Sequence, residues 1–84
     1  MSFSEALVAL KEGKKIARNG WNGKTQYLTL GTHVSFKDSD GTIVNHDNET
    51  IGNKAIIFHG TIGTQVGWLA SQGDLLSEDW YVVE

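Results

Sequence analysis

Two short segments carry residues whose types and spacing suit ligand chemistry. The first is Arg18-Asn19-Gly20-Trp21-Asn22-Gly23-Lys24. A tryptophan between glycines in a loop presents a flat apolar face, and such a face stacks a nucleic-acid base for about 1–3 kcal/mol. Glycine amides can approach a phosphate or a ribose closely, because no Cβ stands in the way. Arg18 and Lys24 bracket the loop and can pair with phosphate oxygens. The second segment is Trp68-Leu69-Ala70-Ser71-Gln72-Gly73-Asp74. Here Ser71 opens a short helix whose first amides favour an anion. Gln72 and Asp74 supply an amide and a carboxylate suited to a base edge or ribose hydroxyls. Each segment also has a plainer reading. Trp21 can plug the core while its glycines only shape a turn, and Ser71 can be an ordinary cap beside a packed Trp68. The spacing leaves both readings open.

Catalytic arrangements are missing from the sequence. No Gly-x-Ser-x-Gly, His-Glu-x-x-His or Walker loop occurs. Asp38 and Asp40 fall in a turn, where aspartate bonds its own backbone. Glu78 and Asp79 flank the last strand and read as solvated groups. His33, His46 and His59 stand thirteen residues apart in turn and share no metal-ligand spacing. There is no cysteine, which excludes disulfides and thiolate metal sites. The residues describe a binding protein rather than an enzyme, with no cofactor.

The elements that must hold these segments follow from pattern. Ser2-Phe3-Ser4-Glu5 is a capping box, and Phe3, Ala6, Leu7 and Leu10 recur at helical spacing. Lys11 complements the helix dipole and Gly13 suits the left-handed end, so residues 3–12 are expected to be helical. Strands are expected over 14–18, 26–30, 33–37, 42–45, 55–59, 65–69 and 80–83. Tyr27 and Thr29 should face one way and Leu28 and Leu30 the other. Asp40-Gly41 marks a hairpin. Residues 45–54 read as a polar loop, and Trp68 as the end of a strand. A short helix is expected over 72–76. The fold class is α+β: an amino-terminal helix, a mostly antiparallel sheet, and a second short helix before the last strand.

At 84 residues the chain fits one ligand-binding domain, residues 1–84, with little core of its own. With no disulfide or metal to help, extra buried surface is expected from homo-oligomerisation. No apolar run approaches a membrane span and no signal peptide is visible, so the cytoplasm is the expected compartment. The net charge of −3 is unevenly placed: residues 1–24 carry +3 and residues 25–84 carry −6. An acidic chain is a poor partner for a DNA or RNA polymer. Its basic head suits a small anion.

Two blocks resemble a known family. Phe3-Ser4-Glu5-Ala6-Leu7, Lys11-Glu12-Gly13-Lys14-Lys15-Ile16 and Arg18 to Lys24 resemble the amino-terminal signature of a small phage and prophage family, the second type of Thoeris anti-defence proteins. The stretch from Trp68 to Trp80 resembles that family's carboxy-terminal block. The family often has Pro where this chain has Ala70. The resemblance implies a sponge in the host cytoplasm. It would bind a cyclic ADP-ribose isomer that serves as an immune signal and leave it intact. The resemblance further implies a homotetramer with ligand sites between subunits, and capture of cyclic oligonucleotides by some relatives. Applied to these residues, it implies that Trp21 or Trp68 stacks the base. Arg18, Lys24 or loop amides such as that of Gly23 would meet phosphate. Asn22, Ser71, Gln72 and Asp74 would bond base or ribose. The competing expectation is an inhibitor that blocks a host defence protein through direct contact.

Overall fold

The computed structural model describes residues 1–21, 25–45 and 54–83. Chain order is α1 (Phe3–Lys11), β1 (Lys15–Arg18), β2 (Tyr27–Gly31), β3 (Phe36–Lys37), β4 (Ile43–Val44), β5 (Ala55–His59), β6 (Thr64–Val66), α2 (Gln72–Leu76) and β7 (Trp80–Val83). This is the expected α+β arrangement. Five strands form one antiparallel sheet in the order β6-β5-β2-β1-β7, and β3 and β4 form a separate hairpin.

Helix α1 begins where Ser2 caps it. The Ser2 hydroxyl accepts from the Glu5 amide at 3.2 Å, and the Glu5 carboxylate accepts from the Ser2 amide at 3.0 Å. It ends at Glu12, and Gly13 follows at φ +91°, a conformation that a side chain would strain. The face bearing Ala6, Ala9 and Leu10 is buried on the sheet. Strand parity supplies the other half of the core. Ile16 lies opposite both Leu28 and Val82, Leu28 opposite Phe58, and Leu30 opposite Ile56. These residues share one face, and Tyr27, Thr29 and His59 take the other. Leu10, Ile16, Leu28 and Trp80 are the largest fully buried side chains. Each contributes on the order of 1.5–3 kcal/mol by leaving water.

The hairpin expected at Asp40-Gly41 forms. Thr42 donates to the Asp40 carboxylate at 2.9 Å, Ser39 donates to that of Asp38 at 2.9 Å, and Gly41 sits at φ +92°. Two strand expectations fail. The strand expected over 33–37 is confined to Phe36–Lys37, with His33 at φ +55° off the ladder. Strand β6 stops at Val66, so Trp68 does not end it. Gly67 still donates to Ile56 O at 3.0 Å, but its φ of +89° turns the chain off the ladder. Trp68 is thereby sent back over the core instead of along the strand. The polar loop expected over 45–54 lies, apart from its two end residues, outside the described residues, as does His46.

Candidate ligand site

The site is built where β1, α2 and the start of β7 converge. Arg18 shares the core face of β1 with Ile16 and lies opposite Trp80 on β7. The strand ends there, so its guanidinium meets α2 rather than the sheet core. Nη1 donates to Asp74 Oδ1 at 2.8 Å, and Nε donates to Asp79 Oδ1 at 2.9 Å. Two of its five N–H donors are committed in this way. The two carboxylates raise the Arg18 pKa above its ordinary value, Asp79 contributing first.

Asp74 is the hub of the cluster. Ser71 and Asp74 form a capping box around the first turn of α2. The Ser71 hydroxyl accepts from the Asp74 amide at 3.0 Å, and Asp74 Oδ2 accepts from the Ser71 amide at 2.9 Å. Asp74 Oδ1 accepts from Arg18 and also from the Trp21 indole N–H at 3.2 Å. Its backbone carbonyl accepts from the Trp80 indole N–H at 2.8 Å. One residue therefore orients an arginine and two tryptophans. Asp74 is 8% exposed. Burial pushes its carboxyl up, yet the bonds from Ser71, Arg18 and Trp21 outweigh that and hold it below the usual carboxylate range.

Asp79 was expected to be a solvated group, and the structure gives it a different place. Its Oδ2 accepts from the Gly20 amide at 2.8 Å, its carbonyl accepts from the Asn19 amide at 3.1 Å, and its Oδ1 holds Arg18. The Arg18 bond, more than the Gly20 bond, lowers its pKa. A Cβ on Gly20 would stand 2.8 Å from Asp79 Oδ2, so the close approach requires glycine. Asp79 thus clamps the chain immediately before Trp21.

The three tryptophans meet over the core. Trp21 lies edge-on to Phe58, Trp68 and Trp80, with centroids 5.8, 6.2 and 5.3 Å away. Trp68 also contacts Trp80 at 6.2 Å and Phe3 at 6.4 Å. Trp80 is buried, whereas Trp21 and Trp68 are half-buried and keep part of their surface in solvent. Trp21 packs on the core, as the plainer reading of the sequence had it, and part of its surface remains accessible.

Of the residues singled out in the sequence, Arg18, Trp21, Trp68, Ser71 and Asp74 come together. Gln72 opens α2 and is exposed. Asn22, Gly23 and Lys24 lie outside the described residues. Pattern missed Asp79 and Phe58. An Asp just before the last strand, opposite the end of the first, was the available signal for Asp79. The arrangement offers a guanidinium with spare donors, two accessible indoles and an exposed helix start. That combination suits a ligand with an anionic and an aromatic part. Among the described residues no group of His, Asp or Glu could hold a metal ion. Among them, too, no helix is long and apolar enough to cross a membrane.

Comparison with known proteins gives two findings. The family described as the Thoeris anti-defense 2-like domain matches residues 1–83. A protein of Bacillus phage SP01 named Thoeris anti-defense 2 is 41% identical over 86 residues, spanning 99% of this chain and 94% of that protein.

Proposed function

Because the chain belongs to the Thoeris anti-defence 2-like family, we propose that it acts against Thoeris immunity as a sponge. It binds a cyclic ADP-ribose-type signal, leaves it chemically intact and keeps it from the effector. The observation that carries this reading is the shared hold of Asp74 on Arg18 and Trp21. A base-stacking indole and a phosphate-pairing guanidinium are fixed beside each other, and among the described residues of the cluster no nucleophile–base pair accompanies them. Preorganisation of this kind lowers the ordering cost of binding.

In this reading Trp21 or Trp68 stacks the base, and Arg18, with Lys24 and the amide of Gly23, meets the phosphates. Ser71, Gln72 and Asn22 bond base or ribose. Asp74 serves chiefly to position Arg18 and Trp21, and in this reading its Oδ2 also accepts from a ribose hydroxyl. The whole chain acts as one ligand-binding domain in the host cytoplasm. It assembles as a homotetramer with sites between subunits, and cyclic oligonucleotides are further candidate ligands.

A second reading is direct inhibition of a host defence protein. It is favoured by exposed apolar side chains at Ile62, Leu69 and Leu76. Isothermal titration with cyclic ADP-ribose isomers, including those linked through the 2′ and 3′ ribose positions, separates the two. Saturable binding with the nucleotide recovered unchanged after denaturation supports the sponge. No binding of any isomer or cyclic oligonucleotide, together with one stoichiometric host protein in a pull-down, replaces it with the second reading.

A further inference from the structure

A cleft of about 370 Å³ opens at the β5–β6 end of the sheet, outside the Arg18–Asp74 cluster. Gln26, Phe58, Gly60, Thr61, Thr64 and Gln65 are among the residues lining it. Its volume falls within the range of small-molecule sites. Carboxamides, hydroxyls and peptide groups line it together with the Phe58 ring and the aliphatic Ile62 side chain, and none of the described lining residues is charged. The shape is fixed by the turn between the two strands, where Gly60 donates to Gly63 O at 2.9 Å. Gly60 carries no Cβ for a reason, since one there would lie 2.8 Å from the Phe58 ring. Gly63, at φ +153°, is also a glycine conformation. Gln65 is held across the cleft wall by a bond from its Nε2 to Gly67 O at 2.9 Å. Its Oε1 and second N–H remain to meet a ligand.

Phe58 links this cleft to the candidate site, because its ring also lies edge-on to Trp21 at 5.8 Å. The charged cluster and the neutral cleft therefore adjoin at the Trp21–Phe58 contact. We infer that the cleft receives the edge of the ligand's nucleobase, with Gln26 and Gln65 as its specificity-determining residues, while Trp21 stacks the base's face. This rests on the sponge reading and adds the part of the site that reads the base. A side-chain carboxamide presents a donor beside an acceptor, which matches the amino and ring nitrogen on one edge of adenine. Among the described residues lining the cleft a phosphate would find no positive charge to offset its own, whereas Arg18 supplies one in the adjoining cluster.

The test uses the isotope-labelled full chain and two probes, adenosine and inorganic pyrophosphate, followed by amide NMR. Adenosine should shift the backbone amides of residues 60–65 and the side-chain amides of Gln26 and Gln65 in a saturable way. Pyrophosphate should shift the Arg18 Nε signal and leave the cleft unmoved. Absence of adenosine shifts in the cleft at 10 mM, on the order of the weakest fragment affinities, overturns the inference. So do shifts confined to the α2 start. A second readout is the double variant Gln26→Ala/Gln65→Ala, the first half-buried and the second exposed, neither in the core. It should weaken binding of a cyclic ADP-ribose isomer by roughly tenfold or more and leave pyrophosphate binding unchanged. Unchanged isomer affinity in that variant overturns the inference while the sponge reading stands. Failure of the wild-type chain to bind any isomer overturns the sponge reading, and the adenosine experiment still decides the cleft.

Discussion

At the scale of single residues, Asp74 does more than the pattern of a capped helix would suggest. Its side chain closes the α2 capping box, holds Arg18 and holds Trp21, and its carbonyl holds Trp80. Asp74→Asn replaces an acceptor with a donor that faces other donors and removes the ion pair. Hydrogen bonds to a charged group are worth about 1.5–3 kcal/mol, so the variant should lose about 2–3 kcal/mol of stability in urea unfolding. Nucleotide affinity should fall with it. Asp79→Ala tests the clamp on Gly20 and Arg18. It should leave the chain folded and weaken ligand binding, because the Trp21 loop loses its anchor while the core stays intact. An affinity equal to wild type would show that the clamp does not set the loop. Both carboxyls titrate below their ordinary value of 3.8 in the folded chain. The stability they contribute is thus fully present above that value and is lost as pH falls through their lower, folded values. Urea midpoints measured from pH 7 down to pH 3 should decline below about pH 4, and less steeply in Asp79→Ala than in wild type.

At the scale of elements, α2 is the piece on which the site depends. It has five residues, too few to be stable as an isolated helix. Its hold comes from the Ser71 cap, from Arg18 and from the Trp80 indole. Ser71→Ala should cost about 1 kcal/mol, the usual value of a cap. Amide exchange should show that cost as faster opening of 72–76 than of the β2–β5 pair. Equal slowing or quickening in both would mean that α2 opens only with the whole chain. Helix starts, the Asp40-Gly41 hairpin and the parity of β2 were legible in the sequence, because each is set by residues within a turn of one another. The Ser71 cap was legible for the same reason. The Arg18 contacts were not. They join residues 56 and 61 positions apart, and only the register of β1 against β7 brings them together. Trp68 misled for a local reason. Its alternating neighbours suggested a strand, and the positive φ at Gly67 ends the strand two residues earlier.

At the scale of the whole molecule, the chain is extended for its length. Its radius of gyration is 14.1 Å, against about 12 Å for a compact domain of this size. The β3–β4 hairpin pairs outside the main sheet and leaves Phe36 and Ile43 exposed. Val66 on the edge strand β6, with Ile62 and Leu69 nearby in sequence, adds further apolar surface. Among the described residues the buried apolar core comprises few side chains, with Trp80 the largest. So small a core leaves little surplus over the entropy of ordering the chain, which a single domain offsets only narrowly. Association would bury the hairpin and the β6 edge and so supply the missing area, the physical ground for the homotetramer proposed above. If it does, folding and assembly are coupled by mass action, and the melting temperature must rise with protein concentration. Sedimentation of the ligand-free chain should give a tetramer at micromolar concentration, and Phe36→Asp should shift it toward smaller species with a lower, concentration-independent melting temperature. A monomer at every concentration would place the whole ligand site within one chain. The Arg18–Trp21 cluster and the cleft beside Phe58 would then have to hold the nucleotide unaided.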